Sequence, residues 1–105
     1  MTIEFETDTV LPPMHPGEVL REEFLVPLGL SAGVVAKACR VPRTRIERIA
    51  GEEVGISTDT ALRLGRYFGT TPDFWLNLQR QFELEAVGRE IGDEIARITP
   101  LDRAA

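Results

Sequence analysis

Arg43, Arg45 and Arg48 fall within one short stretch, with Lys37 and Arg40 just ahead of them. Glu47 is the one acid between residues 31 and 50. A guanidinium is a planar fork of donors. It can bond O6 and N7 of guanine as a pair, and it binds phosphate as readily. The chemistry on offer is therefore recognition of nucleic acid, not bond-making. The single histidine, His15, and the single cysteine, Cys39, leave no basis for a histidine-based triad, a multi-cysteine zinc site or an internal disulfide. The acid pairs Glu22-Glu23 and Glu52-Glu53, and Glu90 with Asp93 and Glu94, have no nucleophile or ligand set beside them, and read as solvated surface. An enzyme, a cofactor and a metal centre are not expected.

Two short helical patterns must position these arginines. They meet at Cys39-Arg40-Val41 within Ser31–Ile49. Ser31 suits the N-cap of the first, and Ala32, Val35, Ala36 and Cys39 follow its inner side. Arg40 occupies the joint, where glycine is easiest if φ is positive. Pro42 starts the second pattern, Arg43 to about Ala50. Ile46 and Ile49 hold it to a core and leave Arg43, Thr44, Glu47 and Arg48 on the far side. A short basic helix braced by a small partner is a helix-turn-helix layout, with the second helix in the major groove.

The chain as a whole opposes that reading. Its net charge is −5 over 105 residues, which argues against bulk attraction to DNA. Distribution matters more than the sum. Residues 1–30 carry six acids against Arg21 alone, whereas residues 31–50 carry Lys37 and four arginines against Glu47. Charges beyond about 8 Å are largely screened at physiological salt, so a locally basic face can still bind phosphate, modestly and with strong salt dependence.

The rest of the chain supplies support. Residues 1–13 read as an extended arm or short strand. His15-Pro16-Gly17-Glu18 opens a helix, with His15 as a cap or surface residue and Pro16 in the first turn. Val19, Leu20, Phe24 and Leu25 form its apolar stripe, Arg21, Glu22 and Glu23 face water, and Pro27 and Gly29 stop it. Gly51 to Gly55 is a loop anchored by Ile56. Ser57 caps a helix with apolar positions Ala61, Leu62, Leu64, Tyr67 and Phe68, ended by Gly69. Thr71-Pro72-Asp73 starts a further helix. Trp75, Leu76, Leu78, Phe82 and Leu84 exceed what one buried face needs, so a second copy is expected to cover part of them. Trp75, Leu78 and Phe82 are the expected dimer contacts, with core packing the competing reading for Trp75. Gly88 breaks that pattern, and a weaker amphipathic segment follows from Arg89 to Ile98. The organisation is thus an arm over residues 1–13, a helix-turn-helix domain over 14–87 and a helical tail over 88–105. No run is long and apolar enough to span a bilayer and no basic-then-apolar leader is present, so a cytoplasmic protein is expected.

With these residues in view, the chain resembles the HigA-type antitoxins of bacterial toxin–antitoxin modules, within the phage-repressor-like helix-turn-helix group. The likeness covers about Met14 to Glu85. It rests on MHPGEVLREEFL, VPRTRIERI and above all STDTALRLGRYFGTTPDFWLNLQ. It implies an all-α, five-helix domain, a homodimer, a palindromic operator upstream of its own operon, and capture of a small RNA-cleaving toxin of the HigB type. Carried over, base contacts fall on Arg43, Thr44 and Arg48, with Glu47 beside them, while Arg45 falls on the flank as a phosphate contact; Lys37, a base on the partner helix, is expected to position phosphate as well. The departures are Ala32 where such motifs often have glutamine, Arg40 where glycine is usual, and Gly51-Glu52-Glu53-Val54 where basic residues commonly follow the glycine. Two acids near the phosphate rim would oppose binding. Two other readings therefore stay open: a stand-alone helix-turn-helix regulator, and a protein-binding antitoxin with weak or lost DNA binding.

Overall fold

A computed structural model describes residues 12–103. The arm or strand expected over residues 1–13 lies outside the described residues, apart from Pro12 and Pro13. Among the described residues the fold is all-α.

Helix α1 is continuous but changes pitch. It is α-helical over Pro16–Val19, π-helical over Leu20–Leu25 and α-helical again over Val26–Leu28. His15 caps it, Nδ1 accepting the Gly17 N–H at 2.8 Å. Pro27 does not stop it. Proline lacks a donor and crowds the carbonyl four residues back. The wider π winding just before it, where the Val26 N–H reaches the Arg21 carbonyl, accommodates that defect. The helix ends at Gly29, with φ at 65°.

Helix α2 (Ala32–Cys39) and helix α3 (Arg43–Ala50) form the expected motif. Ser31 Oγ accepts the Val34 N–H at 3.1 Å. Both helices end in the same left-handed cap. After α2, Arg40 has φ 63°, its N–H donates to the Lys37 carbonyl, and the Val41 N–H donates to the Ala36 carbonyl at 3.0 Å. After α3, Glu52 has φ 63°, its N–H donates to Ile49, and the Glu53 N–H donates to Arg48 at 2.8 Å. These paired bonds satisfy carbonyls the helix ends would leave open. Glycine is the usual left-handed residue here, and neither position has one.

Helix α4 (Thr58–Phe68) is capped by Ser57 and ended by Gly69. Helix α5 (Pro72–Glu90) is capped by Thr71, whose Oγ1 accepts the Phe74 N–H at 3.1 Å. Helix α5 runs through Gly88 unbroken, since one exposed glycine costs a helix only about 1 kcal/mol. The turn comes at Ile91, and α6 covers Gly92–Ala96.

Leu20, Val35, Ile46, Ile49, Leu64 and Trp75 are fully buried and bind α1 through α5 into one core. Phe24 stacks at an angle on Phe68 (4.7 Å) and Trp75 (5.0 Å). Trp75 is 0% exposed and donates its indole N–H to Thr70 Oγ1 at 2.8 Å. It therefore belongs to the core of its own protomer and presents no surface to a second copy. Leu78 packs against that core, and the Phe82 ring meets His15 edge-on at 4.8 Å. Leu62 and Tyr67, expected inside α4, are exposed. Three apolar positions per two turns suffice to anchor a helix of this length, and Ala61, Leu64 and Phe68 already fill them. The unburied apolar side lies farther along, where Leu84, Val87, Ile91 and Ile95 line an open groove of about 410 Å³ across α5 and α6.

Candidate nucleic-acid interface

Helix α3 is short, and its period divides it cleanly. Ile46 and Ile49 are buried, while Arg43, Thr44, Glu47 and Arg48 are all exposed. Residues 43 and 47, and 44 and 48, are four apart and stand on one side. The structure thus brings the four expected base-reading positions together on one face. Helix α2 braces it closely. A Cβ built on Gly33 would lie 3.3 Å from Arg43 Cδ, so the arginine stem passes over a position with no side chain. Lys37 is exposed on α2 and makes no ion pair among the described residues.

Each arginine of α3 already has a carboxylate. Arg43 pairs with Glu47 at 3.3 Å, Arg48 with Glu53 at 3.6 Å, and Arg45 with Asp59 at 2.7 Å. The first two pairs are long and exposed, and such contacts contribute about 0–1 kcal/mol. Phosphate or a base edge can displace them at little cost. The third is different. Asp59 Oδ1 also accepts Arg63 Nε at 2.7 Å, and Arg63 donates to the Cys39 carbonyl at 2.8 Å and to the Arg40 carbonyl at 3.4 Å. One carboxylate thereby ties the flank of α3 to α4, and Arg63 ties α4 to the joint of the motif. The Arg63 guanidinium, and then that of Arg45, hold the Asp59 carboxyl below the usual range. Cys39 sits inside, its thiol pushed up by burial; it is a small buried residue.

One further residue bears on the site and was not expected there. Arg21 does not simply face water. It donates to the Ala50 carbonyl at 2.6 Å and to Glu52 Oε2 at 3.1 Å, from α1 onto the last turn of α3. Glu52 is accordingly turned toward α1, and only Glu53 of the acidic pair flanks the exposed face of α3. Of the two acids expected near the phosphate rim, Glu53 lies beside Arg48 and Glu52 is held by Arg21. The signal for Arg21 was slight: a lone base among the acids of α1. Among the described residues, no group of histidine, cysteine, aspartate and glutamate side chains is placed to hold a metal ion. No helix of the described residues is long and apolar enough to cross a membrane.

No family model matches the chain. Individual proteins do. The chain is 53% identical over 75 residues to virulence-associated protein I of Dichelobacter nodosus, covering 71% of this chain and 69% of that one. It is 32% identical over 89 residues to antitoxin HigA-1 of Vibrio cholerae, covering 85% and 84%. Among solved structures it superposes on the Pseudomonas aeruginosa antitoxin HigA with the higBA promoter. That match has a TM-score of 0.83 and 43% identity, over 86% of this chain and 99% of the other.

Proposed function

The chain belongs to the HigA family of antitoxins, and from that premise we propose that it binds operator DNA upstream of its own operon, represses it, and neutralises a small RNA-cleaving toxin. It is a regulator and not an enzyme. The observation that carries the DNA reading is the exposed face of α3. Arg43, Thr44 and Arg48 meet base edges in the major groove, Glu47 stands beside them, and Arg45 and Lys37 take phosphates. The homologous HigA solved with its promoter supports this use of the fold.

A palindromic operator calls for two copies of the reader about one helical turn apart, ~34 Å. The surface best suited to join them is the apolar groove of Leu84, Val87, Ile91 and Ile95, which is open among the described residues. Glutamate at Leu84 or Ile91 should leave monomers in equilibrium sedimentation. The toxin meets a different chemistry. An enzyme that binds RNA tends to be basic, and the exposed Glu22 and Glu23 of α1 offer the complementary charge.

The alternative, an antitoxin that holds toxin and has lost DNA, rests on the carboxylates already paired with Arg43, Arg45 and Arg48. A gel-shift titration with the chain's own upstream DNA, with and without the product of the neighbouring gene, separates the two. A discrete complex that unrelated DNA fails to compete away supports the operator reading. No complex at low salt in either condition contradicts it.

A further inference from the structure

We infer that Arg21 is a positioning residue for the DNA reader: it fixes the end of α3 and keeps the Glu52 carboxylate off the phosphate path. This inference rests on the operator reading above and deepens it. Arg21 lies on α1, 29 residues before Ala50 and 31 before Glu52. Its fork makes three bonds at once. Nε holds Glu22 at 2.8 Å, Nη1 donates to the Ala50 carbonyl at 2.6 Å, and Nη2 donates to Glu52 at 3.1 Å. The Ala50 carbonyl belongs to the last turn of α3, whose carbonyls have no partner within the helix. A cation there also suits the negative end of the helix dipole.

Glu52 is the residue that needs holding. It occupies the left-handed cap position with φ 63°, where a non-glycine residue is strained. The preceding Gly51 takes φ −84°, a value open to any residue. The glycine thus stands one position away from where the cap would use it, and a glutamate must adopt the glycine conformation. That places a carboxylate at the exit of the reader. Released from Arg21, it would join Glu53 beside the exposed face of α3. A lysine could neutralise Glu52 but could not bridge it and the Ala50 carbonyl with one planar group.

The test is a double-mutant cycle read by DNA binding. Arg21→Ala should weaken binding to the upstream DNA on the order of tenfold, the worth of a charged hydrogen-bond network. Glu52→Gln should tighten binding more in the Arg21→Ala background than in the wild type. A purely structural role for Arg21 would make the effect of Glu52→Gln equal in both backgrounds, and that equality overturns the inference. Should Arg21→Ala fail to fold, Arg21→Gln, which keeps a donor for the Ala50 carbonyl but no charge for Glu52, enters the same cycle with the same two outcomes. A wild type that binds no DNA overturns the operator reading and this inference together, whereas a binding wild type with an additive cycle overturns this inference alone.

Discussion

Gly17 meets the carbonyl oxygen of Ile49 so closely that a Cβ at position 17 would stand 1.8 Å from it. Helix α1 therefore touches α3 backbone to backbone, one residue before the carbonyl that Arg21 holds. The first helix is the cradle of the reader.

Gly17→Ala should consequently cost about 3 kcal/mol, the upper range for overpacking, because the atom it strikes is backbone and cannot rotate away. Urea unfolding reads the loss. Gly88→Ala is the matched control, since a Cβ there meets nothing within 4 Å. It should stabilise α5 by up to ~1 kcal/mol. Equal effects of the two substitutions would show that the close approach is not limiting.

Arg40→Gly should stabilise the chain by about 1 kcal/mol, through relief of the left-handed conformation at a non-glycine residue. The φ of 63° is the cause. Its N–H bond to Lys37 and the carbonyl that receives Arg63 are backbone groups and survive the change. A lower urea midpoint would show that the arginine side chain contributes more than its backbone costs.

Stability should also fall with acid in the histidine range. Burial lowers the His15 pKa below its ordinary 6.5, an effect the nearby Glu52 charge partly opposes. The neutral ring accepts the Gly17 N–H, and the unfolded chain binds the proton more readily. The contribution is thus complete above pH 6.5 and is lost as pH drops through the lower folded value. His15→Asn keeps a capping acceptor without the titration. Its urea midpoint should change less than the wild type's between about pH 7.5 and 5. Parallel curves would place the titration elsewhere.

Glu53→Gln should tighten operator binding by up to about fivefold, the worth of one exposed pair, by releasing Arg48. The wild-type pair is 3.6 Å long with both side chains more than half exposed. Glu52→Gln alone should do less, because Arg21 already occupies that carboxylate. Unchanged binding for Glu53→Gln would mean that the carboxylate does not compete with DNA.

Much of this architecture is legible in local sequence. Ser31, Ser57 and Thr71 cap the helices they were expected to cap, and Ile46 and Ile49 fix which side of α3 faces out. Those signals lie within a turn of what they determine. The misreadings share the opposite property. Arg21 and Glu52 are far apart in the chain, and nothing local says that they meet. Pro27 was expected to end a helix, because a π turn leaves no mark in residue periodicity. Trp75 was weighed as interface because its helix carries more apolar residues than one face can bury. Which of them goes inside is decided by Phe24 and Phe68 on other helices.

Whether the outer face of α3 reads bases is decided by comparing two of its arginines. Arg43→Ala and Arg45→Ala should be titrated against the upstream DNA and its single-base variants over a range of salt. Arg43→Ala should erase discrimination of ~1–3 kcal/mol at one base pair. Arg45→Ala should weaken all sequences alike and lower the salt slope by about 1. Unchanged base preference in Arg43→Ala would contradict the account.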